Sequence, residues 1–356
     1  MARIASVTPC PTSTLGGMQR IAAWLADIAR RDSHAVDEIS LTANKGSGSG
    51  LAWALIREPM SQLELTRTLW KKRSSYDLSI LHAPAGFSTL PGITIHHVNT
   101  LEYAKNTYGT HSPMYWRLRC MNCSYDLISS KGAGRINIAV SKCQADNLTK
   151  LGIKVDHVIY NPIDCDEFYP VEESAKMELR RRLGLPQERL IALIIGRGDN
   201  GKNWLRVMAL ASKYPNVHFL FLGRDESKAA ISLDNCHFKG IIPQSQVREY
   251  LQSADAMIHL SKSESCSLAV FEAMACGLPV LGTRVGALSD IARTDRLISE
   301  LLLDPSNSKD DVKIASKLFE DSFLRETLGN RNRVIVNQVA NSKIITEEYL
   351  SLMRQF

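Results

Sequence analysis

Apolar residues along the first half of the chain fall into short runs, separated by turn formers and by one-sided helical stripes. RIASVTPCP opens with such a run and breaks at a proline. In STLGGMQRIAAWLADIARR, Gly16-Gly17 precedes Ile21, Leu25 and Ile28, which share one helical face. YDLSILHAP and GITIHHVN predict two buried strands, and INIAVS (136–141) and HVIYNP (157–162) two more. SKCQADNLTKLG between the last two predicts a helix over 141–152, with Gly152 suited to its C-terminal cap. After Asn161-Pro162, DCDEFYPVEES is polar and turn-rich, as an interdomain linker would be. A second series follows: LIALIIG (190–196), NVHFLFLG (216–223), AMIHLS (256–261) and LPVLGT (278–283) predict strands. NWLRVMALASKY, SQVREYLQSA and LAVFEAMAC predict helices between them, and the stretch from Asp310 to Phe356 is helical in pattern throughout. Strand–helix alternation argues for parallel sheets with helices on both faces. Appearing twice, it predicts an α/β chain of two Rossmann-like, doubly wound domains facing across a cleft.

Bulk properties agree with two soluble domains. The chain has 356 residues, 44% hydrophobic and 22% charged, which excludes disorder and fibrous repeats. MARIASVTPCP lacks the apolar run of a signal peptide, and no stretch approaches the roughly 20 apolar residues of a membrane span. The expected location is cytoplasmic, with any membrane contact peripheral. The cysteines are Cys10, Cys120, Cys123, Cys143, Cys165, Cys236, Cys266 and Cys276; only Cys120 and Cys123 form a C-x-x-C. No second pair or histidine cluster completes a zinc site, so these are expected to be structural or incidental thiols. A net charge of +6 favours anionic partners without choosing among them.

The chemistry concentrates in SKSESCSLAVFEAMACGLPVLGT. Its helix, LAVFEAMAC, is apolar on every side except at Glu272. A carboxylate buried there is costly unless it is hydrogen-bonded. Glu264 lies seven intervening residues earlier, after a strand and just before the helix start. In open α/β sheets, ligands bind where strands end and helices begin. The amides of a helix N-terminus favour phosphate there. Carboxylates repel phosphate but accept hydrogen bonds from sugar hydroxyls. Two of them flanking a phosphate-binding helix start suit a nucleotide sugar, with hydroxyls at each end and a diphosphate between.

This E-x7-E pattern, followed by E-A-M-A-C-G-L-P-V, closely resembles the donor-site signature of the retaining glycosyltransferases of family 4. IIGRGDNGKNW resembles that family's G-R-loop-K-N segment, and VHFLFLG and CHFKGIIP its next two strands. VSKCQADNLTKLGI followed by VIYNPIDCDEFYP resembles its interdomain segment, with Asn161 and Asp164 at the usual N-x-x-D positions. The match covers residues 135–350 clearly and 1–134 more loosely. It implies the GT-B fold, with Glu264 on donor-sugar hydroxyls, Glu272 on the ribose, and Arg197 and Lys202 on the diphosphate. Fixed cations there would stabilise charge developing on the leaving group. It further implies donor contacts from Ser265, Cys266, Ser267 and Leu268 at the helix start, from Gly223 and Ile241 at strand ends, and from the Gly16-Gly17 turn. ITIHHVN resembles the family's strand ending in T-x-H, which puts His96 at the cleft and His97 beside it. Two departures stand out. The family's E-G-F-G is Glu264-Ser265-Cys266-Ser267 here, and its V-G-G-x-x-E is Val285-Gly286-Ala287-Leu288-Ser289-Asp290. Both bear on which sugar is accepted rather than on the reaction type.

On the acceptor side, the loop KGSGSG (45–50) precedes LTRTLWKKRSSYD, where Arg67, Lys71, Lys72 and Arg73 accompany Leu65, Leu69 and Trp70. Arg117 and Arg119, beside Tyr115 and Trp116, form a second basic aromatic cluster. Such stretches suit an anionic membrane surface, a nucleic acid, or an ordinary solvated helix face. The expectations are therefore an acceptor-binding domain over 1–165, a nucleotide-sugar domain over 166–335, and a C-terminal helix over 336–356 packing back on the first. The expected reaction is retaining transfer from a UDP- or GDP-linked sugar to a lipid-linked or polysaccharide hydroxyl, with no cofactor and no metal. The alternatives are a transferase acting on modified DNA bases, a nucleotide-sugar hydrolase or epimerase, and a non-catalytic sugar-nucleotide-binding protein.

Overall fold

The computed structural model describes residues 1–13, 16–41, 58–98, 100–132, 134–224 and 233–356; the loop KGSGSG at 45–50 lies outside them. The chain divides into two compact units, Met1–Asn161 with Ile344–Phe356, and Pro162–Lys343. The expected boundaries at 165/166 and 335/336 fall four residues after the first division and eight before the second.

In the first unit, β1 (Arg3–Thr8), β2 (Ala35–Ser40), β3 (Leu78–Ala83), β4 (Gly92–His96), β5 (Arg135–Ala139) and β6 (His157–Val158) form one sheet in the order β2-β1-β3-β4-β5-β6. The second unit holds β7 (Ile191–Ile195), β8 (His218–Leu222), β9 (Cys236–Gly240), β10 (Ala256–His259), β11 (Val280–Thr283) and β12 (Leu302–Leu303), ordered β12-β11-β10-β7-β8-β9. Every pairing is parallel. Parallel sheets are covered on both faces, so their strands are apolar runs rather than alternations. β3 and β8 are buried at every position accordingly.

The helix Gly17–Arg31 buries Ile21, Leu25 and Ile28, the stripe read from the sequence. Ser141 caps the helix Lys142–Lys150 by accepting from the Gln144 amide at 3.1 Å. Gly152, at φ 79°, lets the Ile153 amide turn back to the Leu148 carbonyl at 3.1 Å. The helix Ser342–Met353 packs within the first unit, where Tyr349 meets Trp24 edge to face at 6.0 Å. Arg354 pairs with Asp32 at 3.0 Å.

Several elements differ from expectation. The stretch from Asp310 onward is three helices, Asp311–Glu320, Ser322–Val339 and Ser342–Met353. Asp321 starts the second of these by accepting from the Leu324 amide. HVIYNP contributes only a two-residue strand. The C-x-x-C lies on the helix Pro113–Ser129, and all eight cysteines are free thiols. Burial pushes the Cys123 thiol up to about 11, which keeps it protonated and inert.

A buried ion cluster ties the start of the second unit to its sheet. Asp255 accepts from Arg180 at 2.6 Å, from the Ile191 amide at 2.7 Å, and from Lys176. Burial alone would raise its carboxyl, but Lys176 and Arg180 outweigh it and hold the group below its ordinary value of 3.8. A depressed carboxyl stabilises the fold above the unfolded value and loses that contribution as pH falls through the folded one. Asp255→Asn should therefore cost about 3 kcal/mol at pH 7 by leaving buried Arg180 without a carboxylate and Lys176 with only the exposed Glu173. It should also flatten the loss of stability below the ordinary carboxyl value of 3.8. Urea unfolding at pH 7 and pH 3 checks both, and an equal drop with pH in the two proteins would refute the assignment.

Candidate functional site

The strand order of the second unit reverses between β7 and β10: from β7 the sheet grows through β8 to β9, and from β10 through β11 to β12. Loops leaving the carboxyl ends of such neighbours diverge and leave room for a ligand. Lys202 follows β7 and Glu264 follows β10, and across this point the Lys202 ammonium contacts Glu264 Oε1. His259, the last residue of β10, brings its Nε2 to 3.2 Å from the same oxygen. Burial would raise the Glu264 carboxyl, but the Lys202 charge and the His259 hydrogen bond override it and hold the group well below the usual carboxylate range. Glu264 is thus an ionised carboxylate in contact with Lys202, beside a shallow recess lined by His259, Glu264, Ser267, Val285 and Leu288.

The loop carrying Lys202 is built by Asp199. Its Oδ1 accepts from the Lys202 amide at 2.9 Å, and its Oδ2 meets Arg197 at 3.1 Å. This is the turn that Asp forms with the backbone a few residues on. The Lys262 amide then donates to the Gly201 carbonyl at 2.8 Å, joining the β7 and β10 loops directly. Arg197 is the most open member, with its side chain 70% exposed.

Glycine sets the approach of the flanking loops. Gly223 has φ +133°, and a Cβ there would lie 1.8 Å from the Gly196 carbonyl oxygen. Its amide also donates to Gly240 at 2.8 Å, so the ends of β7, β8 and β9 close on one another. Gly286, at φ +50°, opens the helix Gly286–Thr294 against the carbonyl oxygens of Ser265 and Glu264, 2.4 and 2.5 Å from where a Cβ would stand. The Ala287 amide donates to the Ser265 carbonyl at 2.9 Å. Gly286 and Ala287 thus brace the loop that carries Glu264.

Glu272 is buried on the helix Leu268–Ala275, with the Gln244 amide nitrogen 3.5 Å from its Oε1. Ser267 stands at the N-cap of that helix, yet its side chain makes no capping hydrogen bond. Ser265 Oγ is buried without a partner among the described residues. Cys266 and Leu268 are buried, whereas Ile241 is exposed beyond β9. Lys202, Glu264, Arg197 and Gly223 are thus gathered at the carboxyl edge of this sheet. Asp199, His259 and Gln244 join them without having been singled out as functional, and Gly286 is marked in the sequence only within the V-G-G-x-x-E counterpart. The D-N-G-K turn was the one sequence signal that could have found Asp199; nothing in AMIHLS marks His259.

In the first unit, Gly17 begins its helix, and the Gln19 amide folds over Gly16. Gly16 has φ 174°, ordinary extended backbone. His96 points away from solvent: it is fully buried, with Nδ1 3.1 Å from Asp126 and Nε2 3.5 Å from Asn137. The neighbouring His97 is half-buried and meets His82 Nδ1 through its Nε2 at 2.9 Å. Alternation along β4 sends the two histidines to opposite sides, and His97 takes the more open one. The basic stretch is also redistributed. Leu65 and Leu69 belong to a core cluster with Val7 and Leu81. Leu63 and Trp70 face outward and, with Arg67 and Phe87, line an open groove. Arg73 stacks on Trp70 at 4.5 Å, and Arg119 on the exposed Trp116 at 5.5 Å. No helix among the described residues is long and apolar enough to cross a membrane.

Comparison with known proteins gives this geometry a family context. The sulfoquinovosyl transferase SQD2 of Arabidopsis thaliana is 26% identical over 249 residues, covering 67% of this chain and 47% of that protein. The chain spans about half the length of the curated relatives it matches. Among solved structures, sucrose-phosphate synthase from Thermosynechococcus elongatus superposes with a TM-score of 0.80 at 19% identity, covering 100% of this chain and 99% of that one. HepE from Anabaena, solved in complex with UDP-glucose, gives 0.73 at 16% identity over 100% of both chains. These likenesses establish the GT-B fold. Residues 175–334, which hold every site residue of the second unit, match the family described as glycosyl transferases group 1.

Proposed function

We propose that the chain is a retaining glycosyltransferase of family 4 that moves a sugar from a nucleoside diphosphate sugar, UDP- or GDP-linked, to a hydroxyl of a lipid-linked or polysaccharide acceptor. The observation that carries this reading is the Lys202–Glu264 pair across the β7/β10 switch point. A charged carboxylate beside a fixed ammonium suits a ligand whose hydroxyls and phosphates sit side by side. Glu264 accepts from donor-sugar hydroxyls, and Glu272, held by Gln244, from the ribose. Ser265, Cys266, Ser267 and Leu268 line the turn between these carboxylates, with Gly223 and Ile241 toward the base. In the transfer, the anomeric bond to the diphosphate breaks and a bond to the acceptor oxygen forms. Lys202 and Arg197 meet the charge that grows on the departing diphosphate, so neither a metal nor another cofactor is required.

In the first unit, the Gly16-Gly17 turn is a donor-binding element, and His97, less buried than the core-facing His96, is the histidine nearer solvent. The outward residues Leu63 and Trp70, with Arg67, Lys71, Lys72 and Arg73, give a peripheral contact for an anionic membrane surface where a lipid-linked acceptor resides. The protein accordingly works on the cytoplasmic side.

A thermal-shift screen tests the donor site. A nucleotide present at about a hundred times its Kd stabilises the fold by about 2.7 kcal/mol, enough for a rise of several degrees. UDP, GDP or ADP, or one of their sugar derivatives, should produce that rise, and Glu272→Ala should remove it while retaining the wild-type circular dichroism. No shift with any member at millimolar concentration would sink the reading.

A further inference from the structure

We infer that His259 is a positioning residue for the donor sugar, and that it acts by holding one oxygen of Glu264 so that the other faces the ligand. This rests on the donor-site reading above and extends it to a residue that neither the pattern of the chain nor its resemblance singles out.

Glu264 Oε1 is engaged twice, by Lys202 and by His259 Nε2 at 3.2 Å. Oε2 takes no hydrogen bond from the described residues. The carboxylate is therefore pinned through one oxygen beside the recess that Ser267 and Leu288 also line. An ionised carboxylate only accepts, so the proton of His259 resides on Nε2. Ser261 Oγ, also 3.2 Å from Nε2, lies on the same side of the ring. Its backbone carbonyl is held in turn by the Thr283 hydroxyl of β11. The imidazole is 3% exposed at the end of a central strand, where burial keeps it neutral despite its acidic neighbour. It thus supplies an N–H without a second positive charge, leaving Lys202 as the cation that answers the diphosphate. A lysine or arginine in this place would over-neutralise Glu264, and an aliphatic side chain would free the carboxylate to rotate toward Lys202.

Calorimetric titration separates this role from simple packing. The probes are UDP with UDP-glucose, GDP with GDP-mannose, and ADP with ADP-glucose, and the quantity read is the ratio of the two Kd values within a pair. His259→Leu removes the donor. It should weaken the sugar derivative by about tenfold relative to the free diphosphate, whose own Kd stays within about twofold. His259→Gln places an amide N–H near the Nε2 position and should keep the wild-type ratio. His259→Asn, whose amide is too short to reach Glu264, should behave as His259→Leu does and substitutes for it should that variant fail to fold. An unchanged ratio in His259→Leu or His259→Asn overturns the assignment, as does equal weakening of diphosphate and sugar derivative. A ratio in His259→Gln as low as in the other two overturns it as well. If the wild type binds no pair, the donor site itself fails, a result distinct from a wild type that binds a pair and variants that bind it unchanged.

Discussion

Lys202→Met will lower kcat/KM by about a thousandfold, the loss expected when a preorganised charge is removed from a developing anion. The same substitution will introduce a pH dependence of stability between pH 8 and 5. In the wild type, Lys202 and His259 hold the Glu264 carboxyl far below its ordinary value of 4.5 despite burial. Without the ammonium, burial dominates and the folded carboxyl rises above that of the unfolded chain. A group raised in this way stabilises the fold below its unfolded value, and that contribution is lost as pH climbs through the folded one. The melting temperature of Lys202→Met should therefore increase as pH is lowered from 8 to 5, a range over which Glu264 adds no pH dependence in the wild type, whose acid loss begins below the ordinary value of 4.5. Adding Glu264→Gln should restore stability at pH 8 without restoring turnover. Calorimetric melting across that range, with initial-rate kinetics on whichever donor the nucleotide screen selects, tests both parts. A variant that turns over within tenfold of wild type would remove Lys202 from the mechanism.

Gly286→Ala should be the single-methyl change that most directly displaces the Glu264 loop. The added carbon would fall 2.4 Å from the Ser265 carbonyl oxygen and 2.5 Å from that of Glu264, at a φ of +50°. Backbone on both sides leaves no side chain to swing away, so the Glu264 loop has to shift. A displacement of about 1 Å costs on the order of a hundredfold in rate when it moves a reacting contact. Loss of the left-handed glycine adds about 1–2 kcal/mol of instability. Ala287→Gly, at the next position, should leave kcat/KM within a few-fold. Parity between Gly286→Ala and Ala287→Gly in kcat/KM would show that this contact is not what positions Glu264.

What the sequence disclosed, and what it withheld, follows from burial. β3, β7, β8 and β10 were legible because central parallel strands are unbroken apolar runs. β2 was not, since AVDEIS sits at the edge of its sheet with mostly half-open positions and gives no apolar run. The helices Thr100–Tyr108 and Pro113–Ser129 mix polar and apolar residues around their circumference and give no clean stripe. Leu65 and Leu69 did form a stripe, but periodicity cannot say whether a stripe meets a core or a membrane; here it meets the core. At the site, Glu264 and Lys202 were marked by motif context, and their contact by the strand order. His259 lay hidden inside an apolar run. The adjacent pair His96 and His97 could not be ordered without knowing which side of β4 faces Asp126 and Asn137.

The first unit is discontinuous: its closing segment, Ile344–Phe356, is joined to the rest of it only through the whole of Pro162–Lys343. During synthesis, the strands of the first unit emerge before the second unit exists, yet the partners of Trp24 and Asp32 arrive after the second unit is complete. The continuous unit can therefore close first, while the helix Gly17–Arg31 waits with an uncovered flank for Tyr349 and Arg354. For that interval the growing chain leaves Trp24 uncovered, the stage at which a ribosome-associated chaperone would have most to shield.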